Sequence, residues 1–456
     1  MGRRVGSRRW AAVVVLLPAL LAGCAHYVAR PIDPVARARL LTGRRLDDPV
    51  LARFLASMGC KAGHRWGLGA LTLVAVFERP DLAIADARYA VANGGVVSAG
   101  ALPNPTLAIS PEYNATNARP SPFKIGPVIS FLIDSLGARQ AGVAAAKDRR
   151  EAARQAIDTA AWMERSRVRT ALLAVWNARH GVRLARRGVR LAQGSERAIA
   201  QRYRAGIVSS ATLDLAMTAL DQARYAAAEA ARSLEATRGD LAAAVGVPAV
   251  ALDHVAISTR AFDAPRTPHD VAAMTRAALV ARPSVRAALA TYRADQQLLR
   301  QAIDAQYPGV SIGPGYHYSE GDNKYILAIS LPLPIFNQNQ GPIAVARATR
   351  RLAAGQFEAA QLHVLNQIDT ADVRYRASRT AGRAARGIAR EAEAAVRRDE
   401  VAYRIGGIGI VRLRGAEQQA VIAQQNELTT RLQTLTSLGL LEDALHQRFF
   451  GRMSGS

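Results

Sequence analysis

The sequence predicts a mainly α-helical protein made of two tandem repeats, each carrying a pair of β-strands long enough to cross a membrane. Three observations support this fold class: paired sequence copies about half the chain apart, one switch from helical to two-residue apolar periodicity in each copy, and long helical runs with almost no proline. The clearest pair is Tyr203-Arg204-Ala205-Gly206, which recurs 200 residues later as Tyr403-Arg404-Ile405-Gly406.

Two further pairs follow the same order along the chain. Ile129-Ser130-Phe131 recurs 200 residues later as Ile329-Ser330-Leu331, and Arg79-Pro80-Asp81-Leu82 corresponds to Arg282-Pro283-Ser284-Val285, 203 residues later. Because all three pairs have nearly one spacing, they indicate two structural units rather than chance similarity.

Each repeat contains a predicted β-hairpin. After Pro103-Asn104-Pro105 in the first copy and Tyr307-Pro308-Gly309 in the second, large apolar residues alternate with small or polar ones. The strands are about ten residues long, the length that crosses a bilayer at a tilt. A soluble sandwich with a buried apolar face is the alternative. The large apolar residues are Leu107, Ile109, Tyr113, Phe123, Ile125, Ile129, Phe131 and Ile133 in the first copy, and Val310, Ile312, Tyr316, Tyr318, Tyr325, Leu327, Ile329, Leu331 and Leu333 in the second.

Long helices flank these hairpins. The pattern predicts helices over roughly Ala138 to Arg204 and Pro342 to Arg404, each on the order of 90–100 Å long. Return helices follow, from Thr212 to Val245 and from Gly415 to Arg448. A seven-residue apolar repeat in the return helices, with Leu213, Leu220, Ala227, Leu234 and Leu241 in the first, predicts supercoiling against neighbouring helices. Gly206 and Gly406 suit the turns between the long and return helices.

The N-terminus has the features of a secretory signal. Basic residues precede a short apolar run that ends in Leu21-Ala22-Gly23-Cys24, which resembles the lipobox of bacterial lipoproteins. We therefore expect a lipid on Cys24, and Ala25 after it favours the outer membrane. An ordinary signal peptide with an incidental cysteine is the alternative. Apart from Cys24 only Cys60 remains, so the mature chain has no disulfide framework.

The formal net charge of +24 raises the possibility of a nucleic-acid partner. Export argues against that partner, and the arginines are spread along helices, so we expect contact with anionic lipid and no nucleic acid. The eight histidines lack metal-ligand spacing, and no enzymatic motif is present. The sequence therefore predicts no enzyme, no metal site and no cofactor other than the lipid on Cys24.

This arrangement of helix, two strands, long helix, turn and return helix, repeated behind a lipobox, resembles the TolC-like outer membrane efflux proteins. The resemblance runs from about Arg79 to the C-terminus. It is carried by the turns at Tyr203, Gly206, Tyr403 and Gly406, by Arg282-Pro283, and by Ile329-Ser330-Leu331-Pro332-Leu333-Pro334-Ile335-Phe336-Asn337-Gln338-Asn339-Gln340-Gly341. That last string looks like the heavy-metal branch of resistance-nodulation-division systems.

The resemblance implies a homotrimer in which four strands per chain form one 12-stranded transmembrane β-barrel and the coiled helices form a periplasmic α-barrel tunnel. Its partners would be a periplasmic adaptor protein, an inner-membrane pump and outer membrane lipid. The implied function is a passive outer membrane exit channel for small toxic solutes, metal ions or drugs. A structural coiled-coil envelope lipoprotein without channel activity is one alternative, and a polyanion binder in the envelope is another.

One position departs from the family. Acidic side chains commonly ring the tunnel aperture beyond the second turn, but the corresponding positions hold Arg412 and Gly415, with Arg414 between them. Three copies of Arg412 would form a cationic ring that favours anions. Alternatively, Arg412 points outward into solvent or toward the adaptor.

The resulting domain boundaries follow the two repeats. They are a signal peptide (1–23), a lipid-anchored N-terminal tether (24–78), the first repeat (79–250), a linker (251–281), the second repeat (282–450) and a C-terminal tail (451–456).

The substitution Arg412→Asp is predicted to change the ion selectivity of bilayer conductance, because it reverses the charge of the expected ring. Unchanged selectivity would remove Arg412 from the aperture.

Overall fold

The computed structural model describes residues 26–60, 65–116, 121–134, 137–253 and 255–451. The N-terminal unit, residues 1–44, contains one described helix, α1 (Pro34–Thr42), whose N-terminal amides are capped by the Asp33 carboxylate. The second unit holds two 3-10 helices (Ala249–Leu252 and Arg260–Phe262) and the other described α-helices and strands: α2 (Pro49–Ser57), α3 (Leu68–Glu78), α4 (Pro80–Gly100), β1 (Thr106–Tyr113), β2 (Phe123–Ile133), α5 (Ala138–Arg204), α6 (Ser210–Val245), α7 (Val271–Ala281), α8 (Pro283–Asp304), β3 (Val310–Ser319), β4 (Asp322–Ser330), α9 (Gln340–Arg404) and α10 (Ile410–Leu445).

The fold class predicted from the sequence is confirmed: long helices dominate, and four strands form one sheet. The strand order is β1-β2-β3-β4 and every neighbouring pair is antiparallel. No helix in the described parts of the chain combines the length and apolar character needed to span a membrane.

The second hairpin is tighter than the sequence indicated. The polar run Glu320-Gly321-Asp322-Asn323 predicts a four-residue loop, but Ser319 pairs with Asp322 and Tyr318 with Asn323. Only Glu320 and Gly321 form the turn, both at positive φ (56° and 93°), as in a two-residue hairpin turn. At its other end β4 stops at Ser330, so Leu331 and Leu333 lie beyond the strand.

The helices form two long hairpins, α5 with α6 and α9 with α10. Helix α8 packs on both α5 and α9, and α10 packs on α5, so the repeats are joined through helix contacts as well as through the sheet. The apolar seven-residue repeat lies on the packed side of α6, where Leu220 and Leu241 are buried. The return helix of the second repeat ends at Leu445 rather than at Arg448, because His446 adopts a left-handed conformation (φ 53°).

Segments outside the two repeats contribute to the main apolar core. Leu51 and Leu55 of α2 and Leu71 of α3 are fully buried in it, so these helices of the predicted N-terminal tether are packed elements of the core. The expected linker 251–281 also packs, since Phe262 is fully buried against Phe450 in an edge-to-face ring contact 5.5 Å between centroids. The apolar periodicity of the sequence does not predict this packing, because these elements are too short to show a repeating pattern.

Each repeat begins with an arginine that ties its helices together. Arg79, just before α4, donates to the Ala243 carbonyl in the last turn of α6 (3.1 Å) and forms an ion pair with buried Glu164 of α5 (2.9 Å). Positive side chains favour helix C-termini, where carbonyl groups lack intrahelical partners.

Arg282 does the same in the second repeat. It donates to the Ala444 carbonyl near the end of α10 (3.3 Å) and to the Gln367 side chain of α9 (2.7 Å). The Arg-Pro copies seen in the sequence are therefore equivalent structural contacts. The two contacts differ in the acceptor on the long helix: Glu164, which bonds Arg79, is charged, and Gln367, which bonds Arg282, is neutral.

The difference predicts unequal losses of stability. Arg79→Ala is expected to lower the free energy of unfolding by about 2–3 kcal/mol and Arg282→Ala by about 1 kcal/mol, because Arg79 pairs with a buried carboxylate whereas Arg282 donates to neutral acceptors. Thermal unfolding followed by circular dichroism measures this. Arg232→Ala, which removes an exposed pair with Glu229 on α6, serves as the control with no expected change. Equal losses at Arg79 and Arg282 would contradict the prediction.

Candidate functional site: the turns between the long helices

The turn between α5 and α6 is built by a left-handed glycine. Gly206 has φ 71° and its amide donates to the Tyr203 carbonyl (2.9 Å), while the Ile207 amide reaches back to the Arg202 carbonyl (2.9 Å). This second bond spans five residues and satisfies a carbonyl that the helix leaves unpaired. Glycine adopts this conformation without the steric cost that a Cβ would add.

The turn between α9 and α10 repeats these bonds 200 residues later. Gly406 has φ 79° and donates to the Tyr403 carbonyl (3.0 Å), and Gly407 donates to the Ala402 carbonyl (2.8 Å). Tyr203 and Tyr403 are exposed to the same extent, 42% each. The predicted turn residues therefore occupy equivalent positions in two equivalent turns.

The two turns differ at the start of the following helix. Ser209 caps α6, with its hydroxyl accepting from the Thr212 amide (3.4 Å), whereas Gly409 at the same position of α10 provides no side-chain cap. Thr212 corresponds to Arg412, and Asp214 corresponds to Arg414. The second turn is thus the more basic of the two.

Arg412 and Arg414 have different surroundings. Arg412 is exposed, and within the described residues its side chain forms no ion pair. Arg414 donates to Glu417 (2.7 Å) and is only 30% exposed. Its guanidinium lies over Gly194 of α5, where an added Cβ would come within 3.2 Å of the arginine Cζ.

A polar bridge follows the same helices farther from the turns. Gln424 of α10 accepts from Arg187 of α5 (3.0 Å) and donates to Glu393 of α9. Sequence reasoning missed Gly194, Glu417 and Gln424. No periodic signal marks them, because their roles arise only when α10 lies against α5.

Cys24, the predicted lipidation site, lies outside the described residues. Across the described ranges, no three His, Cys, Asp or Glu side chains come together in a way that could hold a metal ion.

Solved structures of two bacterial outer membrane proteins share this architecture. The outer membrane protein VceC of Vibrio cholerae has a TM-score of 0.63 at 19% identity, covering 84% of this chain and 96% of VceC. The CmeC outer membrane channel of Campylobacter jejuni has a TM-score of 0.63 at 16% identity, covering 85% of this chain and 87% of CmeC. At these identities the likeness establishes the shared fold.

Sequence comparison adds a curated relative and a family. The cobalt-zinc-cadmium resistance protein CzcC of Cupriavidus metallidurans is 26% identical over 250 residues, which are 54% of this chain and 58% of CzcC. The chain thus spans a little over half the length of this relative. The family model of outer membrane efflux proteins matches residues 74–247 and 274–445, one segment in each repeat. The chain belongs to the outer membrane efflux protein family.

Proposed function

We propose that this protein is the passive outer membrane exit channel of a tripartite efflux system. The observation that carries the proposal is the four-stranded sheet, which exposes a continuous apolar face and has two unpaired edges. In a soluble protein such a face would be covered by other parts of the chain, and here no described part of the chain covers it.

The strand register aligns the apolar residues across the sheet. Leu107 lies opposite Ile129, Phe131 opposite Ile312, and Ile312 opposite Ile329. Leu327 and Ile329 are 63% and 66% exposed. Lipid hydrocarbon is the environment that favours this exposed face, and water favours the other one. The opposite face carries mostly small and polar residues, with Val128, Leu132 and Ile326 as larger apolar members. The small and polar residues are Thr106, Ala108, Ser110, Glu112, Lys124, Gly126, Ser130, Ser311, Gly313, Gly315, His317, Lys324, Ala328 and Ser330.

The two edge strands of the sheet need neighbouring strands, which further copies of the chain would provide. Among the described strands of one chain, β1 and β4 each have only one neighbour. Unpaired backbone groups in hydrocarbon cost several kcal/mol each, so the edges must pair for the sheet to enter a bilayer. Three copies of four strands give a closed 12-stranded barrel, and trimerisation is then required for insertion.

The helical hairpins supply the path away from the membrane. Helix α5 has 67 residues and α9 has 65, so each is about 100 Å long. Their turns lie at the ends farthest from the sheet. We propose that these turns contact a periplasmic adaptor, which connects the channel to an inner-membrane pump that supplies the energy.

The cargo is proposed to be small toxic solutes, either metal ions or drugs. Metal ions are supported by the similarity to CzcC, which is a cobalt-zinc-cadmium resistance protein, whereas a ring of Arg412 side chains in the tunnel would repel free metal cations and favour anions. We place the aperture at the second turn, with Arg412 facing the tunnel and Arg414 supporting it. Thr212→Asp, at the equivalent position of the first repeat, is the matched control for Arg412→Asp.

The location is the outer membrane, which the family match and the fold both support. The proposed lipid on Cys24 anchors the N-terminus to the same membrane. A channel of this kind performs no catalysis and needs no cofactor.

A pair of arginine substitutions on adjacent residues of β4 tests the proposal. Leu327 lies on the apolar face and Ala328 on the polar face, and both are exposed. Leu327→Arg is expected to abolish membrane insertion, since arginine on the lipid face costs about 2–4 kcal/mol at mid-membrane and a trimer carries three. Ala328→Arg is expected to insert and to alter single-channel conductance in planar bilayers.

The reference measurement uses the purified full chain. It is expected to form detergent-resistant trimers with discrete conductance steps. A chain that stays monomeric and gives no conductance, or equal insertion of the two arginine variants, would overturn the channel proposal.

A further inference from the structure

Helices α5 and α9 each carry a row of exposed arginines that recurs at the repeat spacing of 200 residues. We call these rows the arginine stripes: Arg183, Arg186, Arg190 and Arg197 on α5, and Arg383, Arg386, Arg390 and Arg397 on α9. Successive arginines are three, four and seven residues apart, which places each row along one side of its helix. The chain therefore presents the same cationic row twice.

Most of the charge on the stripes is uncompensated. Among the described residues, the four arginines of the α5 stripe form no ion pair, and on α9 only Arg386 forms one, with Glu427 (3.3 Å). Glu393 and Glu400 continue the row on α9, whereas neither of the equivalent positions on α5 is acidic. The α5 stripe is thus a set of exposed guanidinium groups that an external anion can reach.

The α5 stripe lies on the side of the helix that packs against other segments farther from the turn. Four residues before Arg183, the Arg179 side chain donates to the Ile257 carbonyl of the linker (2.7 Å). Seven residues earlier still, Leu172 is fully buried in the core that also holds Leu71 of α3. Spacings of four and seven keep these residues on one side of α5. In the proposed tunnel the lumen stays open, so the covered side is the outer one and the stripe faces the periplasm.

The stripes lack the apolar side chains that anchor a folded protein partner. Over the described residues 183–197 of α5, no large apolar side chain is exposed, and over residues 383–397 of α9 only Ile388 is. Ile388 is two residues from both Arg386 and Arg390, so it points away from the stripe. Because the cores of protein interfaces are depleted in charge, a polyanion suits this surface better than a folded protein.

The position of the stripes selects the polyanion. Arg183 is 45 residues after Ala138, the first residue of α5, so it is about 70 Å along the helix from the sheet. Headgroup charges at the sheet are screened over this distance, since the Debye length is about 8 Å at physiological ionic strength. A tunnel that extends this far into the periplasm crosses the peptidoglycan layer, whose peptide stems carry free carboxylates.

We infer that the arginine stripes bind the carboxylates of peptidoglycan and tie the tunnel to the cell wall. The inference rests on the proposed trimeric channel, because three chains with two stripes each place six stripes around one tunnel. Each exposed ion pair contributes little. A polymer that surrounds the tunnel contacts several stripes at once, and such multivalent contacts strengthen binding.

The test compares two variants with equal loss of positive charge. The stripe variant replaces four stripe arginines by glutamine: Arg183→Gln, Arg190→Gln, Arg383→Gln and Arg390→Gln. The control variant replaces four other exposed cations of the same two helices: Lys147→Gln, Arg149→Gln, Arg347→Gln and Arg351→Gln. Glutamine is close to arginine and lysine in helix propensity, so both variants are expected to fold, which circular dichroism checks.

The readout is cosedimentation of the purified full chain, as a trimer in detergent, with intact peptidoglycan sacculi. The parent and the control variant are expected to bind with affinities within about twofold, and added salt is expected to weaken the binding. The stripe variant is expected to bind at least about tenfold more weakly, because four ion pairs are lost in each of three chains. Sacculi whose carboxylates have been converted to amides are expected to bind none of the three proteins.

Undiminished sedimentation of the stripe variant, or an equal loss in both variants, would overturn the inference. A loss confined to phosphatidylglycerol vesicles, with sacculus binding unchanged, would assign the stripes to lipid and also overturn it. Single-channel conductance separates the inference from the channel proposal. The stripe variant is expected to keep the conductance and ion selectivity of the parent, and altered selectivity would place the arginines in the lumen. A parent that binds sacculi through its stripes but gives no conductance would overturn the channel alone.

Discussion

The structure depends on a sheet that cannot satisfy its own backbone or cover its own apolar face. Four antiparallel strands leave β1 and β4 unpaired on one side, and the face that carries Leu327 and Ile329 is exposed. Both deficits are removed together when copies of the chain close a barrel in lipid, because hydrocarbon covers the face and neighbouring strands pair the edges.

The two repeats conserve backbone bonds and differ in side-chain chemistry. The turn bonds at Gly206 and Gly406 are equivalent, and so are the arginine contacts at the ends of α6 and α10. The charges at equivalent positions differ, however. Gln367 of the second repeat corresponds to Glu164 of the first, and Arg412 corresponds to Thr212. The two repeats thus share backbone geometry at these contacts and differ in the charges that surround them.

The junction between the repeats is charged as well as apolar. Arg165 and Arg169 of α5 meet the fully buried Glu442 of α10, and burial lowers the pKa of the Arg165 guanidinium while Glu442 opposes that effect. Removing one member would leave a buried charge without compensation, which is strongly destabilising. The C-terminal residues take part because the Arg165 side chain also donates to the Phe450 carbonyl (2.8 Å). These contacts at Glu442 and Phe450 therefore join the second repeat to the first.

The sequence by itself determined the local features: helix and strand locations, the duplication, the alternating faces of the strands and the left-handed turn glycines. Each of these is set by residues close together in the chain, through periodicity and backbone conformation. The two-residue turn at Glu320 and Gly321, the packing of α2 and α3 into the core, and the arginine–glycine contact between α5 and α10 were decided only by the tertiary structure. These features join residues such as Gly194 and Arg414 that are far apart in sequence, and a glycine in a long helix carries no sign of the side chain that will lie over it. For the same reason the sequence places Arg412 and Arg414 as neighbours, and only the packing of α10 against α5 distinguishes an exposed arginine from one held between helices.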